Sequence, residues 1–523
     1  MTDTCTLLMR WLEEASPSSR RRFFRQAAVA LGAFAISGCT DRTRTPRWSG
    51  NPFRLGIASG DPVPDGIVLW TRLMRDPTAG EIGPPVEVDW QIARDERFSR
   101  VERTGTAIAS PQLAHSVHAE VTGLEADREY WYRFRTGGET SPAGRFRTAP
   151  PPEQAPAQLR FAFASCQHYE QGYYTALHHL GAEDVRFVIH LGDYIYEDGV
   201  HDERPRQHDG PEVVSLDEYR NRYALYKSDA DLQAAHANCA WIATWDDHEV
   251  DNNYVSDMAQ DDQPPAAFLL RRAAAYQAYY EHMPVRSTTR PRGPDARMYR
   301  SLRFGDLIDL SVVDTRQYRS DQPCGDQDGP RCDGAIAESA TVFGEAQERW
   351  LFDGLAASGT QWNVIANQVA IAQLDNQPGP DESFRMDRWD GYVAARRRLL
   401  EFVRDNASNV IVLTGDIHSN WVADLKPDFD DPASPVVAAE FMGTSLSSGG
   451  DGSDAAGFGR RALAENPHLK FFNGQRGYVR CTASRNLWTS EYRVVDYVER
   501  PGSPISTRAT FVVEPGKAGT QTG

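Results

Sequence analysis

Four short apolar runs, each ending in a cluster of chemically capable side chains, constrain this chain more than any other feature. Phe161-Ala162-Phe163-Ala164 runs into Ser165-Cys166-Gln167-His168. Phe187-Val188-Ile189-His190-Leu191 runs into Gly192-Asp193-Tyr194-Ile195-Tyr196-Glu197. Trp241-Ile242-Ala243-Thr244-Trp245 runs into Asp246-Asp247-His248-Glu249, and Val410-Ile411-Val412-Leu413-Thr414 into Gly415-Asp416-Ile417-His418. Runs this short and this apolar read as strands buried on both faces. Sites in open α/β sheets lie beyond the carboxyl ends of strands, so four such ends can converge in space. A single strand ending in Gly-Asp is ordinarily a turn; four in order, rich in Asp, His, Tyr and Cys, point to a site.

Further buried-strand candidates at 307–313 and 362–365 alternate with helical patterns at 173–180, 266–282, 344–357 and 392–405. That alternation predicts an α/β domain over residues 158–515, with 516–523 a flexible tail. A Pro-rich stretch, 149–157, marks the boundary before it. Upstream, 66–70, 86–92, 116–121 and 144–148 alternate with the period of half-buried strands. Residues 124–134 resemble the tyrosine-corner region of fibronectin type III-like sandwiches, so 51–148 is expected to be a small β-sandwich. Polar insertions at 199–211, 320–335 and 447–459 are long enough to be functional or mobile.

Ser19-Arg20-Arg21-Arg22-Phe23-Phe24-Arg25 resembles a twin-arginine export signal, and the apolar run after it, about ten residues, is too short to span a bilayer. Residues 1–38 are read as that signal and 39–50 as a linker. Ile36-Ser37-Gly38-Cys39 resembles a lipobox that would make Cys39 a lipid anchor; Ala33-Phe34-Ala35 is a competing cleavage site. The expected location is therefore periplasmic, membrane-anchored through Cys39, or secreted. The twin-arginine machinery carries folded proteins, often with cofactor loaded.

The charge balance agrees with export. Lys+Arg number 56 against 73 Asp+Glu, a net charge of -17, which excludes the basic footprint of a sequence-independent nucleic-acid binder. Surplus carboxylates are also the usual ligands of hard cations. Seven cysteines is an odd count. Cys324 and Cys332 close a short loop and could pair in an oxidising compartment; Cys239 and Cys481 carry no connectivity.

Asp193 offers a carboxylate able to bridge two cations. Tyr196 offers a phenolate suited to a strongly Lewis-acidic ion, and Cys166 a thiolate that hard ions would not select. Mixed hard and soft donors imply two unlike metals. The order Cys…GDxxY…DDHE…GDxH resembles the calcineurin-like metallophosphoesterases and, more closely, the PhoD-type alkaline phosphatases. Phe304-Gly305-Asp306, Asp314-Thr315-Arg316-Gln317-Tyr318-Arg319 and Asp387-Arg388-Trp389-Asp390-Gly391-Tyr392 extend the likeness over nearly the whole chain. Two positions depart from the wider pattern by adding carboxylate: Asp416 replaces a His, and Asp247 an Asn.

The resemblance implies an α/β fold, a metallophosphoesterase-like two-sheet αββα sandwich preceded by the fibronectin type III-like domain. It implies Fe3+ held by Cys166, Asp193, Tyr196 and His418, and Ca2+ held by Asp193, Asp247 and Asp416. Asn367 follows a buried strand near the place of the family's middle His, a poor match. His248 is expected beside the phosphoryl oxygen or leaving group, and Arg316 to pair with phosphate or to form a buried salt bridge. His168, His178, His179, His190 and His236 are given no role. The implied activity is hydrolysis of phosphate monoesters and diesters by attack of a metal-bound hydroxide. The competing readings are a phosphodiesterase or phospholipase-like hydrolase with the same metals, and a surface lipoprotein binding module with a relict site.

Overall fold

The computed structural model describes residues 48–74, 83–261, 263–454 and 457–523. The export signal, Cys5 and Cys39 lie outside the described residues. The architecture rests on two large mixed sheets. In the ten-stranded sheet, Gln158–Ala164, Phe187–His190 and Ala240–Ala243 lie side by side and parallel. In the eight-stranded sheet, Ile308–Val312, Trp362–Asn367, Val410–Thr414 and Ala438–Met442 do the same. The strand Ala438–Met442, central in its sheet, and the helices Leu216–Lys227 and Ala230–Asn238 were not anticipated from periodicity.

The side-chain alternation of the strands sets the layers. Phe161, Phe163, Phe187 and Ile189 of the first sheet share one apolar core with Leu310, Val364, Leu413 and Phe441 of the second. The other face of the first sheet packs Ala162, Val188 and Trp241 against Leu177, Tyr223, Phe268 and Tyr276. These come from the helices Thr175–Leu180, Leu216–Lys227 and Pro265–His282. The far face of the second sheet packs Ile365 and Val412 against Leu351, Leu399 and Val403 of Gly344–Ala357 and Val393–Asn406. The order is helices, sheet, sheet, helices. Each fully buried Leu, Val, Ile or Phe contributes about 1.5–3 kcal/mol. Local signals still fix helix ends: Ser215 and Glu218 form a reciprocal capping box, and Asp229 caps Ala230–Asn238.

The N-terminal strands divide between two sheets. Val101–Ala109, Val86–Ala93, Glu129–Thr136 and Gly144–Arg147 belong to a separate five-stranded sheet. Ile57–Val63, Gly66–Arg72 and Ser116–Val121 instead continue the ten-stranded sheet, joined to it where Gly60 pairs with Trp241. Only glycine fits at that junction, because a Cβ on Gly60 would stand 2.1 Å from the Pro284 carbonyl oxygen. The Tyr130 hydroxyl accepts the Glu125 amide at 3.0 Å, tying strand to loop.

The tail expected to be flexible is tied down. Gln521–Thr522 pairs with Ile505–Val513, and the Thr520 amide donates to Asp424 Oδ1 at 2.8 Å. The outermost long strand of the ten-stranded sheet offers unpaired backbone groups that a short segment can satisfy. Cys324 and Cys332 form a disulfide, while Cys166, Cys239 and Cys481 are buried free thiols. Among the described residues, no helix is long and apolar enough to cross a membrane.

Candidate metal centre

The parallel strands of both sheets end at one place. The sheets meet there through a bridge between Ser165 and Ser445, and a Cβ on Gly415 would lie 2.7 Å from Ser165 Oγ. Gly192 is equally constrained: it has φ +112°, and a Cβ would stand 2.4 Å from that of Asp246. Cys166, Asp193, Asp416 and His418 all follow strand ends and all adopt left-handed backbone, with φ of 60°, 56°, 61° and 54°. Non-glycine residues hold that conformation at a cost of about 1–2 kcal/mol each. Four such costs at one locus mark backbone bent to aim side chains inward.

Two donor groups result, each with ligand atoms within 4.8 Å of one another: Cys166, Asp193 and His418, and Asp193, Asp247 and His248. Asp193 belongs to both. Tyr196 joins the first, its hydroxyl 3.0 Å from Asp193 Oδ2 and 3.2 Å from His418 Nε2. Asp416 joins neither group, but Arg316 Nη2 lies 4.0 Å from it and 3.5 Å from Asp247. Asn367 lies at the end of its strand, its amide nitrogen donating to the Val369 carbonyl at 2.5 Å.

The donor atoms fit a cation. Asp193 Oδ1, Asp247 Oδ1, Asp246 Oδ2 and Asn367 Oδ1 are buried and accept no hydrogen bond. Buried oxygens are almost always partnered, and each orphan costs about 1–3 kcal/mol. Burial and the nearby Asp193 carboxylate push the Cys166 thiol and the Tyr196 phenol well above their usual ranges. Burial likewise raises Asp193, with Asp247, Glu249 and Asp416 adding to the rise. Burial holds His418 down at about 3, leaving a neutral imidazole that can donate its lone pair. A cation is the missing positive charge that would favour the deprotonated thiol, phenol and carboxylate.

Residues around these donors fix their positions, and sequence reasoning passed over several. Glu249 accepts the amides of Asp193 (3.1 Å), Tyr194 (2.6 Å) and Asp246 (2.8 Å), bracing two strand ends at once. Glu197 holds His248 Nδ1 at 2.7 Å and accepts the Asn252 amide at 2.7 Å. Ser448 donates to the Tyr196 hydroxyl at 2.7 Å. Glu249 stood inside the Asp-Asp-His-Glu motif and Glu197 next to Tyr196. Ser448 stood in an insertion expected to be functional or mobile, with nothing local to single it out. Burial opposes charge on His248, but Glu197, Asp247 and Asp193 outweigh it and hold the imidazolium well above the usual histidine range.

Arg316 forms a buried salt bridge, one of the two arrangements expected of it. Its fully buried guanidinium donates to Asp246 and, at 2.8 Å, to Asp387, so these carboxylates rather than substrate occupy Nε and Nη1. Of the histidines given no role, His168 packs its ring 4.4 Å from that of Tyr196. His190 and His236 are buried in the helix-covered core, stacked on Trp241.

The family model for the PhoD-like phosphatases matches residues 161–492, and that for their N-terminal domain matches residues 38–150. Alkaline phosphatase D of Bacillus subtilis (strain 168) is 47% identical over 500 residues, covering 94% of this chain and 85% of that protein. A solved structure described as that of PhoD superposes with a TM-score of 0.89 at 48% identity, covering 91% of this chain and 93% of the other. The chain belongs to the PhoD-like phosphatase family.

Proposed function

We propose that this chain is an exported, metal-dependent phosphatase that hydrolyses phosphate monoesters and diesters. Hydrolysis of phosphoric esters itself follows from family membership. The observation that carries the metal dependence is Asp193, one carboxylate common to two donor groups. On this reading Cys166, Asp193, Tyr196 and His418 hold Fe3+, and Asp193, Asp247, Asp416 and Asn367 surround Ca2+. Cations bound there would activate water and offset charge on the phosphoryl oxygens. His248, held by Glu197 through Nδ1, keeps its other nitrogen for a phosphoryl oxygen or the leaving group. Arg316 fixes Asp246 and Asp387, and through its Nη2 restrains Asp247.

The four-layer arrangement fits a metallophosphoesterase sandwich over 158–515, and the tied Tyr130 fits a fibronectin type III-like unit over 51–148. Export would use the twin-arginine machinery, with Cys39 available for lipidation. The test is hydrolysis of p-nitrophenyl phosphate and bis-p-nitrophenyl phosphate, with metal content, for wild type and Asp193→Ala. Loss of metal and of both activities is expected. Unchanged activity in the variant removes the assignment.

A further inference from the structure

A second anion site lies at the opposite end of the ten-stranded sheet. A cavity of about 230 Å³ opens at the amino ends of Gln158–Ala164, Phe187–His190 and Ala240–Ala243. A seven-residue strand at about 3.3 Å per residue puts it roughly 20 Å from the metal centre. Four arginines line it: Arg145 and Arg147 from the five-stranded sheet, Arg160 from the ten-stranded one, and Arg186 just before its strand Phe187–His190. Glu129 and Asp184 line it as well, so the four arginines face two lining acids.

The existing ion pairs leave positive charge over. Arg147 Nε and Arg186 Nη1 share Asp127, which leaves the remaining N–H groups of both without that partner. Arg145 is spent mainly on Asn238, with Glu129 at 3.3 Å. Arg160 is different: its Nε is buried and unpartnered, and no carboxylate pairs with its guanidinium among the described residues. An arginine held half-buried in a polar cavity with no counter-ion loses hydration and recovers little.

We propose that this cavity binds a phosphate dianion between the two sheets, with Arg160 as its principal contact. Guanidinium groups approach from different walls, so the acceptor must present oxygens in three dimensions. A tetrahedral phosphate does this, whereas a planar carboxylate satisfies one fork. The bound anion would bridge arginines from the N-terminal and catalytic units. The site does not depend on the metal centre.

The test is calorimetric titration of inorganic phosphate into the metal-loaded wild-type protein and Arg160→Gln. Arg160 carries no internal ion pair, so its replacement leaves the folded chain's own pairs intact. Wild type should show a class of phosphate sites whose affinity falls at least about tenfold in Arg160→Gln, the loss of one charge-assisted hydrogen-bond set. Arg160→Lys should recover part of it. The kcat/KM for p-nitrophenyl phosphate should be unchanged in both variants, separating this site from the metal centre. An isotherm identical in wild type and Arg160→Gln overturns the proposal. So do equal heats from chloride or acetate, which would mark unspecific counter-ion uptake.

Discussion

Tyr196 Oη and His418 Nε2 lie 3.2 Å apart although 222 residues separate them. Tyr196 follows a strand of the ten-stranded sheet and His418 a strand of the eight-stranded sheet. The pair therefore closes the seam where the two sheets meet. If the phenol is an iron ligand, the loaded protein should absorb in the visible through phenolate-to-iron(III) charge transfer. Tyr196→Phe should abolish that band and lower the iron content. A coloured Tyr196→Phe protein with full iron would exclude the phenol as a ligand.

His248 separates two roles by a single measurement. As a group that meets the phosphoryl oxygen or leaving group, it should be removable without loss of metal. His248→Ala is then expected to lower kcat by about 10²–10⁴-fold with metal content unchanged. Metal loss in parallel with activity, by elemental analysis, would make it a ligand instead.

Arg316 is a buried cation among carboxylates, and removing it leaves Asp246 without its counter-charge and Asp387 with Arg319 alone. Breaking such a pair costs about 3–5 kcal/mol. Arg316→Met should therefore lower the midpoint of thermal unfolding, while whatever activity remains keeps its KM. A raised KM with undiminished stability would return Arg316 to the role of phosphate clamp.

Lys227, which is not among the metal donors, supplies a pH dependence of its own. It is buried, with its ammonium 4.3 Å from the Trp70 ring and 5.0 Å from that of Tyr194. Burial pushes it down to about 7, against about 10.4 in an unfolded chain. Between those values the unfolded state binds a proton that the folded state has released, so stability rises with pH across that window. Lys227→Met should be more stable than wild type at pH 7, and its advantage should shrink toward pH 9.5, by urea unfolding at each pH. An advantage constant with pH would show that the lysine stays charged.

The strands carrying the site were legible because their apolar runs are local. The run beginning at Phe187 and the helix Gly344–Ala357 stand where pattern placed them. The helix Leu216–Lys227 was not legible, since its buried side is built from Tyr219, Tyr223 and Tyr226 among charged neighbours. Its apolar signal is diluted by polar atoms that only tertiary contacts satisfy. The sharing of the N-terminal strands with the catalytic sheet was also hidden, because it rests on one close approach at Gly60. In the site, motif residues such as Asp193 and His418 were visible. Ser448 was not, because its relation to Tyr196 exists only once residues 252 positions apart are brought together.

The seam at Ser165 and Ser445 has a consequence for biosynthesis. The first donor group needs Cys166 and Asp193 from one sheet and His418 from the other. A ribosome must therefore translate past position 418 before those three donors can meet. On the proposed metal reading, capture would come only after most of the polypeptide has emerged and its sheets have docked. A chain threaded across a membrane while still unfolded would reach the far side with its ligands scattered and nothing loaded.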